Sequence, residues 1–234
     1  LYSQPQLLIR GHPQGDEDLR GAIADYLRAY RAVDCALDQI VVGAGVEYLL
    51  GLLARLVEGP AAVEDPGYSR TRRILHSSGM DCVPVPVDKQ GLVVEKLAET
   101  NARLAYVTPS HQFPTGAVMP AGRRAALLQW ALAEPGRYII EDDYDSEFRF
   151  ELRPLPSLQG MAGSGGPVVY LSTFSRSLAP SIRIAYMVLP RGLLARFEEE
   201  FGFYSSTVSR FEQQTLRVFL QEGHFTRHLA RCRG

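Results

Sequence analysis

Apolar residues recur at helical spacing over residues 16–30, at Leu19, Ile23, Tyr26, Leu27 and Tyr30. The acidic residues sit in the first turn, where the helix dipole favours them, so an amphipathic helix is predicted. A short β-branched run at 39–42 leads through Gly43-Ala44-Gly45 into an apolar helical stretch at 46–57. Further strands are expected at 61–64, 82–87, 104–108, 137–141, 168–172 and 184–189, each short and mostly apolar. Helices are expected at 70–78, 92–99, 121–133, 190–203 and 211–231, the last interrupted at Gly223. Strands alternating with helices predict an α/β fold with a mainly parallel sheet. Fully apolar strands predict helices on both faces, hence three α/β/α layers. In such sheets ligands gather at the carboxyl ends of the strands.

Composition narrows the picture only slightly. A chain of 234 residues fits one large domain or one and a half small ones. The net charge of −1 offers no electrostatic reason for direct contact with DNA or an anionic membrane. Cys35, Cys82 and Cys232 are odd in number and form no CxxC or His/Cys cluster, as expected of incidental thiols in the reducing cytoplasm. The longest apolar run, near 49–57, is broken by Gly51 and Arg55 and falls short of a membrane span. Residues 1–10 lack the order of a signal peptide. The first residue is Leu1 and the last is Gly234, which reads as a piece of a longer protein.

Candidate chemistry follows the strands. Gly43-Ala44-Gly45-Val46-Glu47 is a glycine turn opening a helix, either an anion site or a plain tight turn. Glu64-Asp65-Pro66-Gly67-Tyr68 presents an aromatic ring after a turn, to lie on a planar ligand or to pack. The loop Thr108-Pro109-Ser110-His111-Gln112-Phe113-Pro114-Thr115-Gly116 is stiffened by proline and can aim side chains into a site. Glu141-Asp142-Asp143 ends a buried strand, where carboxylates need a cationic partner; a protonated pyridine nitrogen is one, a metal another. Ser172-Thr173-Phe174-Ser175-Arg176, with Arg183, gathers hydroxyls and guanidiniums suited to a phosphate.

These strings, together with Tyr144-Asp145-Ser146-Glu147-Phe148-Arg149, resemble the aminotransferase-like domain of MocR/GabR-type bacterial transcription regulators of the GntR family. The resemblance covers nearly the whole chain. It implies the aspartate aminotransferase-like fold of pyridoxal-phosphate (PLP) enzymes, with a large domain at 1–200 and the helical start of a truncated C-terminal subdomain at 201–234. By resemblance Asp142 pairs with the pyridine nitrogen, with Asp143 as rival, and Tyr144 with the ring hydroxyl. Tyr68 stacks on the ring. Gly45, Val46 and Glu47 offer a helix start to the phosphate, joined by Thr173, Ser175 and Arg183. His111 and Gln112 border the ring and the effector.

One departure changes the functional expectation. Arg176 stands where the family carries its Schiff-base lysine. A guanidinium stays protonated and is not an amine nucleophile, so both the covalent link and the catalytic base are lost. The two lysines, Lys89 and Lys96, fall in a turn and on a short helix away from the motifs. Smaller departures are the short loop at 58–62 and Ala185 in place of a family glycine. The family's substrate-gripping arginine and winged-helix domain are not in these residues. The expectation is therefore a cytoplasmic, homodimeric effector-binding domain. It would bind PLP non-covalently, or an amine or amino-acid effector, and reach DNA only through the absent winged helix. A PLP-dependent aminotransferase and a non-binding dimer scaffold are the alternatives.

Overall fold

The computed structural model describes residues 5–145, 147 and 155–233; Ser146, Phe148 and Arg149 of the acidic motif lie outside them. The chain runs through α1 (Glu17–Arg31), β1 (Ile40–Gly43), α2 (Val46–Leu56), β2 (Ala61–Asp65), α3 (Ser69–Ser77) and β3 (Cys82–Asp88). It continues with β4 (Gly91–Leu92), α4 (Val94–Ala98), β5 (Leu104–Val107), α5 (Ala121–Leu132) and β6 (Tyr138–Asp142). It ends with α6 (Leu158–Ala162), β7 (Val168–Thr173), β8 (Ala185–Val188), α7 (Arg191–Phe201), α8 (Arg210–Gln221) and α9 (His224–Arg233).

The described strands form one eight-stranded sheet in the order β1-β8-β7-β6-β5-β2-β3-β4. β7, β6, β5, β2 and β3 are parallel, while β8 runs against both β7 and the edge strand β1. Successive side chains on a strand face opposite ways, and the core divides accordingly. Val63, Tyr106, Ile140, Leu171 and Met187 pack under α2 and α7. Tyr170, Tyr186 and Val188 face α1, α8 and α9 on the other side, and Ala105, Val107 and Ile139 face α4, α5 and α6. The sheet is covered on both faces, as the apolar strands require.

The elements depart from the sequence pattern in a few places. Leu92 pairs with Val87 in β4, so the helix expected from residue 92 begins at Val94. The short α6 was not expected; its amides at Leu158 and Gln159 donate to the buried Glu141 carboxylate, a partner visible only once β6 is beside it. The expected break at Gly223 separates α8 from α9, with Gly223 at φ 70°.

Candidate functional site

The parallel strands β2, β5, β6 and β7 end on one edge of the sheet, and a cleft of about 280 Å³ opens there. Ten of the residues expected from the sequence line it: Gly45, Val46, Glu47, Tyr68, Asp142, Tyr144, Thr173, Ser175, Arg176 and Arg183. His111 and Gln112 are not in its lining. The Gln112 amide is buried behind it and donates to Glu64 Oε2 at 3.2 Å and to the Pro66 carbonyl at 3.0 Å. The half-exposed His111 ring meets Asp145 at 2.6 Å on the outer side.

The floor is acidic. Asp142 is 8% exposed; the Tyr106 hydroxyl donates to its Oδ2, and its Oδ1 has no hydrogen-bond partner in the structure. Burial pushes its carboxyl up to about 7, with the neighbouring Asp143 and Glu64 charges adding to that effect against the Tyr106 bond. Glu64, at the end of β2, accepts from Thr108 Oγ1 at 2.7 Å, yet burial raises it to about 7 as well.

Asp143 is turned away from the cleft. Its Oδ2 accepts from the Tyr170 hydroxyl at 2.5 Å and from Arg31 Nε at 2.7 Å, with Arg31 reaching in from α1. Glu141 points to the same side, toward Arg124 at 3.7 Å. Of the three consecutive acids, only Asp142 meets the cleft.

The wall beside the floor carries the aromatic and hydroxyl groups. Tyr144 donates to the His111 carbonyl at 2.8 Å, and burial, with Asp145 adding, raises its phenol to about 12. Arg176 lies over the Tyr144 ring, its guanidinium carbon 5.3 Å from the centroid, a cation–π contact. Tyr68 meets Phe113 edge to face at 5.8 Å. Thr173 Oγ1 accepts from the Ser175 amide at 3.1 Å and so shapes the loop after β7.

Opposite stands the start of α2. Gly45 adopts φ 93°, ψ 162°, a region that is essentially glycine's alone. Arg183, at φ 52°, reaches over it to Glu47 Oε2 at 2.7 Å.

Sequence reasoning missed Tyr106, Thr71, Leu50, Ile74 and Arg70 in the lining. Strand alternation carried a signal for Tyr106, which shares a face with Val63 of β2. The α3 residues carried none, because only packing decides which of them meet the cleft. Among the described residues, no three His, Cys, Asp or Glu side chains are grouped to hold a metal ion, and no helix is long and apolar enough to cross a membrane.

The unpartnered, buried Oδ1 of Asp142 fits a cationic ring nitrogen, and the hydroxyls, guanidinium and α2 amides across the cleft fit a phosphate. The chain is 45% identical over 230 residues to an uncharacterized HTH-type transcriptional regulator of Bacillus subtilis (strain 168), YdeL, covering 97% of this chain and 49% of that protein. It is 40% identical over 228 residues to a probable rhizopine catabolism regulatory protein, MocR, of Rhizobium meliloti, covering 96% and 45%. The chain thus spans about half the length of these relatives. Among solved structures it superposes on the α-aminoadipate aminotransferase LysN of Thermus thermophilus, complexed with N-(5'-phosphopyridoxyl)-L-leucine. The TM-score is 0.80 at 27% identity, over 97% of this chain and 59% of that one. The family description "Aminotransferase class I and II" matches residues 1–228, and the chain belongs to that family, with HTH-type regulators among its relatives.

Proposed function

We propose that this chain is the effector-binding and dimerisation domain of a MocR/GabR-like transcriptional regulator. In this reading it binds pyridoxal 5'-phosphate non-covalently, or a small amine or amino acid, and performs no covalent catalysis. The large domain occupies 1–200, and 201–234 begins a C-terminal subdomain. DNA is reached through a separate winged-helix domain, and the assembly is a cytoplasmic homodimer. One observation carries the reading: the cleft keeps its acid, tyrosine and phosphate-type groups, while Arg176 stands at the lysine position over Tyr144.

When bound, pyridoxal phosphate supplies a cationic ring that draws electrons and an aldehyde that condenses with amines. Asp142 would hold the ring nitrogen, Tyr68 would cover the ring face, and Tyr144 would meet its hydroxyl. The Val46 and Glu47 amides, with the Ser175 hydroxyl and Arg183, would hold the phosphate; the Gly45 N–H and the Thr173 hydroxyl, expected there from the sequence, instead donate to the Gly43 carbonyl at 2.9 Å and the Ile184 carbonyl at 3.2 Å. A guanidinium, as at position 176, suits anions and is not an amine nucleophile. Lys96 is paired with Glu99 at 2.8 Å on α4, and Lys89 sits in the turn between β3 and β4; neither lines the cleft. A sensor needs only a ligand that favours one conformation over another, so the loss of turnover is compatible with regulation.

Absorbance titration with pyridoxal phosphate, then borohydride reduction and mass spectrometry, tests this. Saturable binding without a covalent adduct is expected. An adduct on Lys89 or Lys96 would refute the site assignment, and no binding would leave a dimer scaffold. Family membership favours an aminotransferase as the second reading; amino-group exchange between an amino acid and a 2-oxo acid would establish it.

A further inference from the structure

An anion cradle in the cleft is filled by the protein's own carboxylate. Glu47, in the first turn of α2, places Oε2 2.7 Å from Arg183 Nη2 and Oε1 3.5 Å from Arg70 Nη1. Burial acts to raise this carboxyl, but its own backbone N–H, Arg183 and Arg70 outweigh that and hold it below its usual range. The carboxylate therefore takes a guanidinium that a phosphate would want, that of Arg183. The pair lies directly over Gly45: a Cβ there would be 2.6 Å from Arg183 Nη2 and 2.9 Å from Glu47 Oε2. The same cleft contains the buried Asp142 with its unpartnered Oδ1, so the cradle belongs to a place built for a ligand.

We infer that Glu47 is an internal stand-in for phosphate, which a ligand must displace to enter, and that the cleft thereby selects phosphate monoesters over carboxylates. This rests on the reading that the cleft takes pyridoxal phosphate. A phosphate monoester carries nearly two charges and three acceptor oxygens at neutral pH. It outcompetes a singly charged side chain for Arg183. A ligand whose only anion is a carboxylate gains no charge advantage over Glu47. Displacement costs affinity, because the guanidinium is exchanged from one anion to another instead of being taken from water.

The test compares this chain with its Glu47→Gln variant by equilibrium titration with pyridoxal phosphate and with pyridoxal, which lacks the phosphate. Glutamine keeps the size of the side chain and removes its charge. Pyridoxal phosphate should bind the variant about three- to fivefold more tightly, the scale of an ion pair whose partners, Arg183 and Glu47, are 53% and 35% exposed. Pyridoxal affinity should not change. Adding Arg183→Ala to the variant should abolish the gain. Unchanged or weaker pyridoxal phosphate binding by the variant would overturn the inference and make Glu47 a support for Arg183. Binding by the variant alone would uphold it. If neither protein binds pyridoxal phosphate, the cofactor reading fails and this inference with it.

Discussion

Asp142 and Asp143 are neighbours in the chain and serve opposite faces of the sheet: Asp142 bonds to Tyr106 in the cleft, and Asp143 to Tyr170 and Arg31 beneath it. The two should therefore separate by experiment. Asp142→Ala should abolish pyridoxal phosphate binding and leave folding nearly intact. Asp143→Asn strands the Arg31 guanidinium, 5% exposed, without its carboxylate and should cost about 3–5 kcal/mol. Urea unfolding beside a binding titration distinguishes them; a stable Asp143→Asn protein that fails to bind would reverse the assignment.

Arg176→Lys should convert reversible binding into a borohydride-reducible adduct at residue 176. The side chain already projects into the cleft beside Tyr144 and Ser175, and lysine supplies the amine that guanidinium lacks. A variant that stays without a 176 adduct in excess pyridoxal phosphate would show that the cleft is not the cofactor site.

Stability should fall as the pH rises from 5 to 7.5. Glu64 and Asp142 titrate near 7 in the folded protein, well above unfolded carboxyls near 4. Between those values the folded state holds protons that the unfolded chain has released, so raising the pH removes stability. Thermal unfolding should show a higher midpoint at pH 5.5 than at 8, and Asp142→Asn should flatten the difference. A midpoint that rises with pH in wild type and variant alike would mean that these acids are already ionised in the fold.

Gly45→Ala should destabilise the chain by about 1–3 kcal/mol, the cost of forcing a side chain into the φ 93°, ψ 162° backbone. It should also weaken pyridoxal phosphate binding, since the new Cβ pushes on Arg183. Chemical denaturation and titration measure the two effects. Wild-type stability in the alanine variant would mean that the turn relaxes to ordinary dihedrals.

Much of the architecture was legible in the chain because it rests on local periodicity. Short apolar strands between amphipathic helices dictate a parallel sheet covered on both faces, and the motif-bearing loops fall after strands. Gly45, Asp142 and Arg183 stood out in this way. Thr71 did not, because a helix threonine looks like ordinary packing until α3 flanks the cleft; for Tyr106 strand alternation gave the face but not that the face opens on the cleft. His111 and Gln112 read as site residues from their loop, yet Gln112 is used up by Glu64 and the Pro66 carbonyl.

By itself the sequence determined the layer order of elements, the residues available at strand ends, and the absence of an amine at position 176; these depend on residue type and spacing along one chain. Only the tertiary structure decided which of two adjacent acids faces the cleft, and that Glu47 occupies Arg183. Those outcomes depend on strand register and on guanidiniums delivered from distant segments, Arg31 from α1 and Arg183 from the loop before β8, and no local pattern encodes such meetings.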